Sequence, residues 1–103
     1  MKIKTQDLTG AALDLAVVRA GYGYDFKLPL LFFNPSTDWS QGGPIIEREM
    51  VELYKDLSRW TAVIRVDDEE PWELYGPTPL IAAMRCYVAS KLGEEVDIPE
   101  ELV

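Results

Sequence analysis

The chain has 103 residues, with 18 acidic and 10 basic side chains, no histidine and one cysteine. This length predicts one domain with a modest core, and a hydrophobic content of 48% argues against disorder. The missing histidine and the single cysteine exclude structural zinc, Ser-His-Asp catalysis and Cys-His catalysis. The net charge of −8 argues against binding to a long nucleic acid.

The N-terminal third predicts one helix followed by an irregular segment. Apolar residues recur at three- and four-residue spacing over residues 10–20, with Thr9 as the N-cap and Gly21 as the end. The apolar run 28–33 is a possible buried or edge strand, and Pro29 argues against a central position. This run is too short to cross a bilayer, and the N-terminus lacks the pattern of a signal peptide. We expect no membrane association.

Turn-forming residues dominate positions 34–44, which predicts a loop. Pro44 suits the first position of a helix, so a short helix is expected over residues 44–49 after the Gly-Gly-Pro sequence. Alternating side chains at 51–54 and 60–66 then predict a β-hairpin. The four acids at 67–70 are expected in solvent, because consecutive carboxylates do not converge on a metal ion.

The last helix has the clearest boundaries in the sequence. Thr78 is a suitable N-cap, Pro79 suits the first helical position, and Gly93 ends the apolar stripe. The predicted fold is α+β, with two main helices packed on a small antiparallel sheet and one short helix after the Gly-Gly-Pro sequence. The predicted domain covers residues 1–93, and 94–103 is expected to be an acidic C-terminal tail.

The stretch 38–43 is the candidate binding site. Glycine backbone amides before a helix can meet an anion, although the same glycines also suit a plain tight turn. Asp38 could accept from a ribose or a base, Trp39 could stack on a flat ligand, and arginines could hold a phosphate. The predicted ligand-binding residues are Asp38, Trp39, Gln41, Gly42, Gly43, Arg48, Thr78 and Arg85.

The other reactive side chains favour structural interpretations. Glu47 and Glu49 suit exposed helix positions, and Cys86 suits a small buried residue without a base or a resolving cysteine. The remaining aromatic residues near turns are each more typical of a core. We therefore expect no enzymatic activity, no catalytic residue, no metal and no cofactor.

Three segments resemble the NinX-like proteins of lambdoid phages and prophages. They are the start of the chain, with MKIKT at 1–5 and LTGAAL at 8–13, then PSTDWSQGGPIIERE at 35–49 and GPTPLIAAMRCYVASKLG at 76–93. The resemblance extends over nearly the whole chain and implies an α–β–α sandwich-like fold. It also implies a phage accessory protein that works in the cytoplasm of the bacterial host.

Small phage accessory proteins often counteract host defences, and this context suggests two hypotheses. The first is a non-catalytic homo-oligomer that sequesters a small nucleotide-like ligand. The alternative is an acidic interaction module that binds and inhibits a host protein, because acidic surfaces can occupy basic ones. The homo-oligomer is expected because the aromatic residues and the small-residue helix faces suggest more apolar surface than one small core can bury.

Overall fold

The structure, a computed structural model, describes residues 1–24 and 32–103. Within them lie three α-helices: α1 (Gly10–Tyr22), α2 (Trp39–Glu49) and α3 (Pro79–Leu92). The strands are β1 (Lys2–Lys4), β2 (Glu52–Lys55), β3 (Trp60–Ile64), β4 (Trp72–Gly76) and β5 (Glu95–Asp97). The predicted α+β class, with two main helices, a shorter helix and a small antiparallel sheet, is confirmed.

The larger sheet is an antiparallel meander in the order β2-β3-β4. The predicted hairpin is present as β2 and β3, and its register places Leu53 opposite Ala62. Strand β4 was not predicted from the sequence, and it continues the same row with Leu74 opposite Ala62. These three side chains share the face that packs on the core, since alternate strand residues point to opposite faces.

Helix α3 is the central element of the fold. It packs against β3 and β4 and also contacts α1 and α2. Buried residues lie around most of its circumference: Leu80, Ala82, Ala83, Met84, Cys86, Tyr87, Val88 and Ala89. A helix that is apolar on all sides belongs in the interior of a fold. The predicted apolar stripe covered one side of α3, and on its other sides the alanines and the cysteine allow neighbouring elements to approach closely. The predicted boundaries are confirmed, with Thr78 as the N-cap and Gly93 as the C-cap.

Helices α1 and α2 differ from their predicted bounds. Helix α1 continues to Tyr22 and ends at Gly23, which has a φ of 87° that favours glycine. Gly21 therefore lies inside the helix. Helix α2 begins at Trp39, five positions before the predicted start at Pro44. The Asp38 side chain caps it by accepting from the Ser40 backbone N–H, so residues 39–43, predicted as loop, are helical.

The C-terminal segment is part of the fold, which differs from the expected acidic tail at 94–103. Strand β5 pairs with β1 in antiparallel register, with Ile3 opposite Val96. Val96 and Ile98 are buried in the core, whereas the five acids of the segment are exposed. The possible strand at 28–33 falls largely outside the described residues, which resume at Phe32.

Candidate functional site

The predicted binding stretch at 38–43 forms the N-cap and first turns of α2. The Asp38 carboxylate accepts from the Ser40 backbone N–H at 2.9 Å and from the Ser40 hydroxyl at 2.7 Å. These bonds lower the pKa of Asp38. The Gly42 N–H donates to the Asp38 carbonyl at 2.9 Å. The expectation that this amide is free to meet a phosphate is therefore corrected, because the helix uses it.

Gln41 ties the preceding segment to α2. Its side-chain oxygen accepts from the Asn34 N–H at 2.8 Å. Its amide nitrogen donates to the Phe32 carbonyl at 3.0 Å and to the Asn34 side chain at 2.8 Å. These contacts place the Gln41 side chain at the edge of a cleft next to α2.

Gly42 is required by packing between α2 and α3. A Cβ at this position would lie 2.5 Å from the Leu80 side chain and 2.5 Å from the Pro35 carbonyl oxygen. Gly43 is less confined, because the nearest atom to its Cβ position is a Trp39 ring carbon at 3.9 Å. The two glycines thus have different structural roles, and neither forms the predicted ligand-facing turn.

Trp39 and Thr78 lie together where α2 and α3 begin. They border a shallow depression of about 210 Å³. The Trp39 side chain is 54% exposed. The Thr78 hydroxyl accepts from the Ile81 N–H at 3.1 Å and so serves as a helix cap.

Arg85 lies in a different environment from Arg48. Its guanidinium donates to the Leu8 carbonyl and to the Tyr75 carbonyl, both at 2.8 Å. Burial lowers the pKa of Arg85. The Leu8 carbonyl directly follows the 3-10 turn Thr5–Asp7, and the Tyr75 carbonyl belongs to β4. The two carbonyls thus hold the Arg85 side chain between this turn and β4. The structure does not bring Arg85 and Arg48 into one phosphate site.

A cleft of about 600 Å³ opens where the end of α1, one face of α2 and the second half of α3 meet. We call it the helix cleft. Among the described residues, its charged side chains are Arg48, Lys91 and Glu49, and Gln41 adds an amide. The other described lining residues are Val17, Ala20, Gly21, Tyr22, Phe32, Phe33, Pro44, Ile45 and Tyr87. Aromatic walls with two cations suit a flat anionic ligand.

The charged groups of the helix cleft form a linked set around Glu49. The Glu49 carboxylate binds Arg48 at 3.0 Å and Lys91 at 3.3 Å. Burial alone would raise the pKa of Glu49, but the hydrogen bonds from Arg48 and Lys91 outweigh it, so its pKa is lowered. Arg48 also donates to the Tyr87 hydroxyl at 3.4 Å and lies 5.8 Å from the centre of that ring. Two cations and one carboxylate leave this set with a single positive charge.

Arg48 and Gln41 were predicted from the sequence, whereas their partners in the helix cleft were not. Tyr87 lies on the apolar stripe of α3 and carries no sequence signal that separates it from the core. Glu49 was interpreted as an exposed helix acid, whereas its side chain is only 17% exposed. Lys91 comes from the last turn of α3, a position that the sequence alone does not place beside α2.

Outside the helix cleft, the reactive side chains show few signs of chemistry. The acids at 67–70 are exposed. Across residues 1–24 and 32–103, no group of three or more His, Cys, Asp or Glu side chains could hold a metal ion. Cys86 is buried, and burial raises the pKa of its thiol to about 12. None of the helices in the described residues is long and apolar enough to cross a membrane.

Comparison with known proteins identifies a phage family. The family model described as "Bacteriophage P22, NinX" matches residues 30–91, which is more than half of the chain. The matched range includes α2, the meander and nearly all of α3. It therefore covers most of the helix cleft. No curated protein sequence matches the chain.

Proposed function

The chain belongs to the NinX family of bacteriophage P22, and we propose that this phage accessory protein holds a small nucleotide-like ligand in the helix cleft. The observation that carries the proposal is the presence of Arg48 and Lys91 beside aromatic side chains in one cleft of about 600 Å³. This volume falls within the range of small-molecule sites. Arg48 or Lys91 would meet the anionic group, and a half-buried ring of the lining such as Phe33 would contact the base.

The arrangement favours binding without turnover. A carboxylate that acts as a general acid near neutral pH needs a raised pKa, whereas Arg48 and Lys91 lower the pKa of Glu49. We therefore propose a ligand sink that acts in the cytoplasm of the bacterial host, with Glu49 as the group that an incoming anion displaces from its cations. The nucleotide should be recovered unchanged after incubation with the protein.

Calorimetric titration with mono-, cyclic and dinucleotides tests this proposal. We expect R48Q to weaken binding at least about tenfold, since a charge-assisted hydrogen bond is worth roughly 1.5–3 kcal/mol. E49Q should tighten binding, because it leaves Arg48 and Lys91 free to meet the anion. R65Q is the matched control, since Arg65 pairs with Glu52 outside the helix cleft.

Two results would overturn the proposal. One is the absence of any nucleotide that binds more tightly than about 1 mM. The other is an equal loss of affinity in R48Q and R65Q, which would indicate general attraction between charges. Opposite effects of R48Q and E49Q would support binding at the helix cleft, because a shape defect from repacking would weaken binding in both variants.

A second candidate function is inhibition of a host protein through a protein interface. The observation that favours it is the group of exposed apolar side chains around β2, namely Met50, Tyr54 and Leu57. Burial of these side chains at an interface would remove apolar surface from water, and the acidic chain would suit a basic partner. Capture of a stoichiometric host protein that weakens in high salt and is reduced in L57S would favour this candidate.

The same exposed side chains support the proposal that the binder is a homo-oligomer. Burial of Met50 and Leu57 between copies would remove apolar surface from water. Light scattering should give a mass above that of one chain, and L57S should lower it. A monomeric mass for the unaltered protein would contradict this part of the proposal.

A further inference from the structure

A second cleft of about 600 Å³ lies along β4, on the side of the strand away from β3. We call it the edge groove. Lys4, Thr5 and Gln6 form one wall, and Trp72, Glu73 and Leu74 form the other. Ala89, Glu94 and Glu95 complete the lining. The groove thus separates the end of β1 and the start of β5 from the larger sheet.

Gln6 closes one end of the edge groove by hydrogen bonding to β4 as a neighbouring strand would. Its side-chain nitrogen donates to the Tyr75 carbonyl at 2.7 Å, and its side-chain oxygen accepts from the Tyr75 N–H at 2.9 Å. One primary amide therefore supplies both the donor and the acceptor of a strand residue. The backbone of Tyr75 consequently faces away from β3.

The Tyr75 contacts also fix the direction of the Glu73 backbone. In an antiparallel strand, every second residue directs its N–H and C=O to the same side. Glu73 is two residues before Tyr75, so its polar backbone groups also face away from β3 and toward the edge groove. Among the described residues, no side chain or loop backbone bonds to these groups of Glu73. In the part of the chain that the structure describes, this strand edge is therefore open beside the amide of Gln6.

The lining of the edge groove gives the chemistry of an occupant. Glu73, Glu94 and Glu95 oppose one cation, Lys4, so these four side chains carry a net charge of −2. Leu74 and Ala89 are buried beneath them, and Trp72 is half-buried. This combination suits basic side chains whose aliphatic stems lie on apolar surface.

We propose that the edge groove binds an extended basic segment of a partner protein by adding it as a strand to β4. The backbone of the segment pairs with Glu73, and its lysine or arginine side chains face the three acids. Main-chain hydrogen bonds supply affinity in this mode, and side-chain pockets supply specificity. The proposal does not depend on the helix cleft, which has different lining residues.

Fluorescence anisotropy with a labelled peptide of alternating lysine and valine tests strand addition. The matched peptide carries the same charge but has N-methyl groups on the amides of one edge, which removes the donors of a ladder. We expect the unmodified peptide to bind and the N-methylated peptide to lose at least about tenfold in affinity. An acidic peptide of alternating glutamate and valine should not bind.

Variants of the protein test whether the peptide binds in the edge groove. E94Q/E95Q removes two charges from the edge groove, whereas E100Q/E101Q removes two exposed charges that do not line it. We expect E94Q/E95Q to weaken binding about fivefold, as two partly screened ion pairs would, and E100Q/E101Q to weaken it much less. R48Q should bind the peptide with unchanged affinity. Loss of ligand binding at the helix cleft can therefore be distinguished from loss of peptide binding at the edge groove.

Three binding results would overturn the proposal. They are equal binding of the methylated and unmodified peptides, equal losses in the two double variants, and no binding more tightly than about 1 mM. An NMR shift of the Glu73 backbone amide on addition of the unmodified peptide would support it. An unmoved Glu73 amide in a bound complex would place the peptide elsewhere and contradict it.

Discussion

At the scale of single residues, Gly42 and Gly43 are adjacent glycines with opposite structural roles. We predict that G42A lowers the free energy of unfolding by about 1–3 kcal/mol, as overpacking does, because the Pro35 carbonyl oxygen would lie 2.5 Å from the new Cβ. A backbone oxygen cannot move away by a change of rotamer, as the end of a side chain can. G43A should raise stability by about 0.5–1 kcal/mol, because alanine stabilises a helix interior relative to glycine.

Urea unfolding followed by tryptophan fluorescence measures both glycine variants. G43A is the matched control, since it changes the neighbouring residue by the same methyl group with 3.9 Å of space. Destabilisation of the same size in both variants would contradict the packing role of Gly42. An unchanged midpoint in G42A would contradict it as well.

At the scale of elements, a buried hydrogen bond connects α1 to the segment before α2. The Asp14 carboxylate accepts from the Ser36 N–H at 2.9 Å, and both residues are buried. Burial raises the pKa of Asp14 despite the opposing hydrogen bond from Ser36. The carboxylate is therefore a good acceptor whose charge is unfavourable in this place.

We predict that D14N is at least as stable as the unaltered protein at pH 7, whereas D14L is about 1–3 kcal/mol less stable. Asparagine keeps an acceptor for the Ser36 N–H without a buried charge, and leucine leaves that N–H unpaired. Because the folded pKa lies above the unfolded one, the Asp14 charge destabilises the fold as pH rises through that interval. The advantage of D14N over the unaltered protein should therefore shrink toward pH 4 in thermal unfolding experiments.

Local signals predicted some elements well and non-local packing decided others. Helix α3 was predicted correctly because Thr78, Pro79 and Gly93 mark its ends within the sequence itself. The start of α2 was missed because serine and glycine favour turns, whereas the fold needs Gly42 for close contact with Leu80. Strands β1 and β5 pair residues from opposite ends of the chain, and neither segment is long enough to show a strand pattern alone.

The same limit applies to the candidate site. Arg48 and Gln41 came from one sequence stretch and do line the helix cleft. Glu49, Tyr87 and Lys91 join them only because the second half of α3 lies against α2. Arg85 shares α3 with Tyr87, yet it bonds to the Leu8 carbonyl. Residue chemistry therefore suggested the class of ligand, and helix packing determined which cations meet.

At the scale of the whole molecule, the charge of −8 is unevenly distributed. The segments 67–70 and 94–103 hold nine of the 18 acids, all of them exposed. One of these exposed acids, Asp97, binds the N-terminal ammonium of Met1 at 3.0 Å. Glu52 is also paired: it binds Arg65 and accepts from the Tyr54 hydroxyl. The pKa of Glu52 is lowered mainly by the hydrogen bond from Arg65 and, to a smaller extent, by the hydrogen bond from Tyr54.

Paired acids and unpaired exposed acids should respond oppositely when their charge is removed. We predict that E52Q lowers the melting temperature at pH 7, because the paired charge stabilises the fold. E69Q should leave it unchanged or raise it, because Glu69 forms no salt bridge within the described residues and adds to the repulsion of its acidic neighbours. The folded pKa of Glu52 lies below its unfolded value, so its stabilisation is present above about pH 4.3 and is lost as pH falls through the folded pKa. Thermal melts from pH 7 to pH 2.5 should therefore show E52Q converging with the unaltered protein in acid, and a constant difference across this range would contradict the role of the charge.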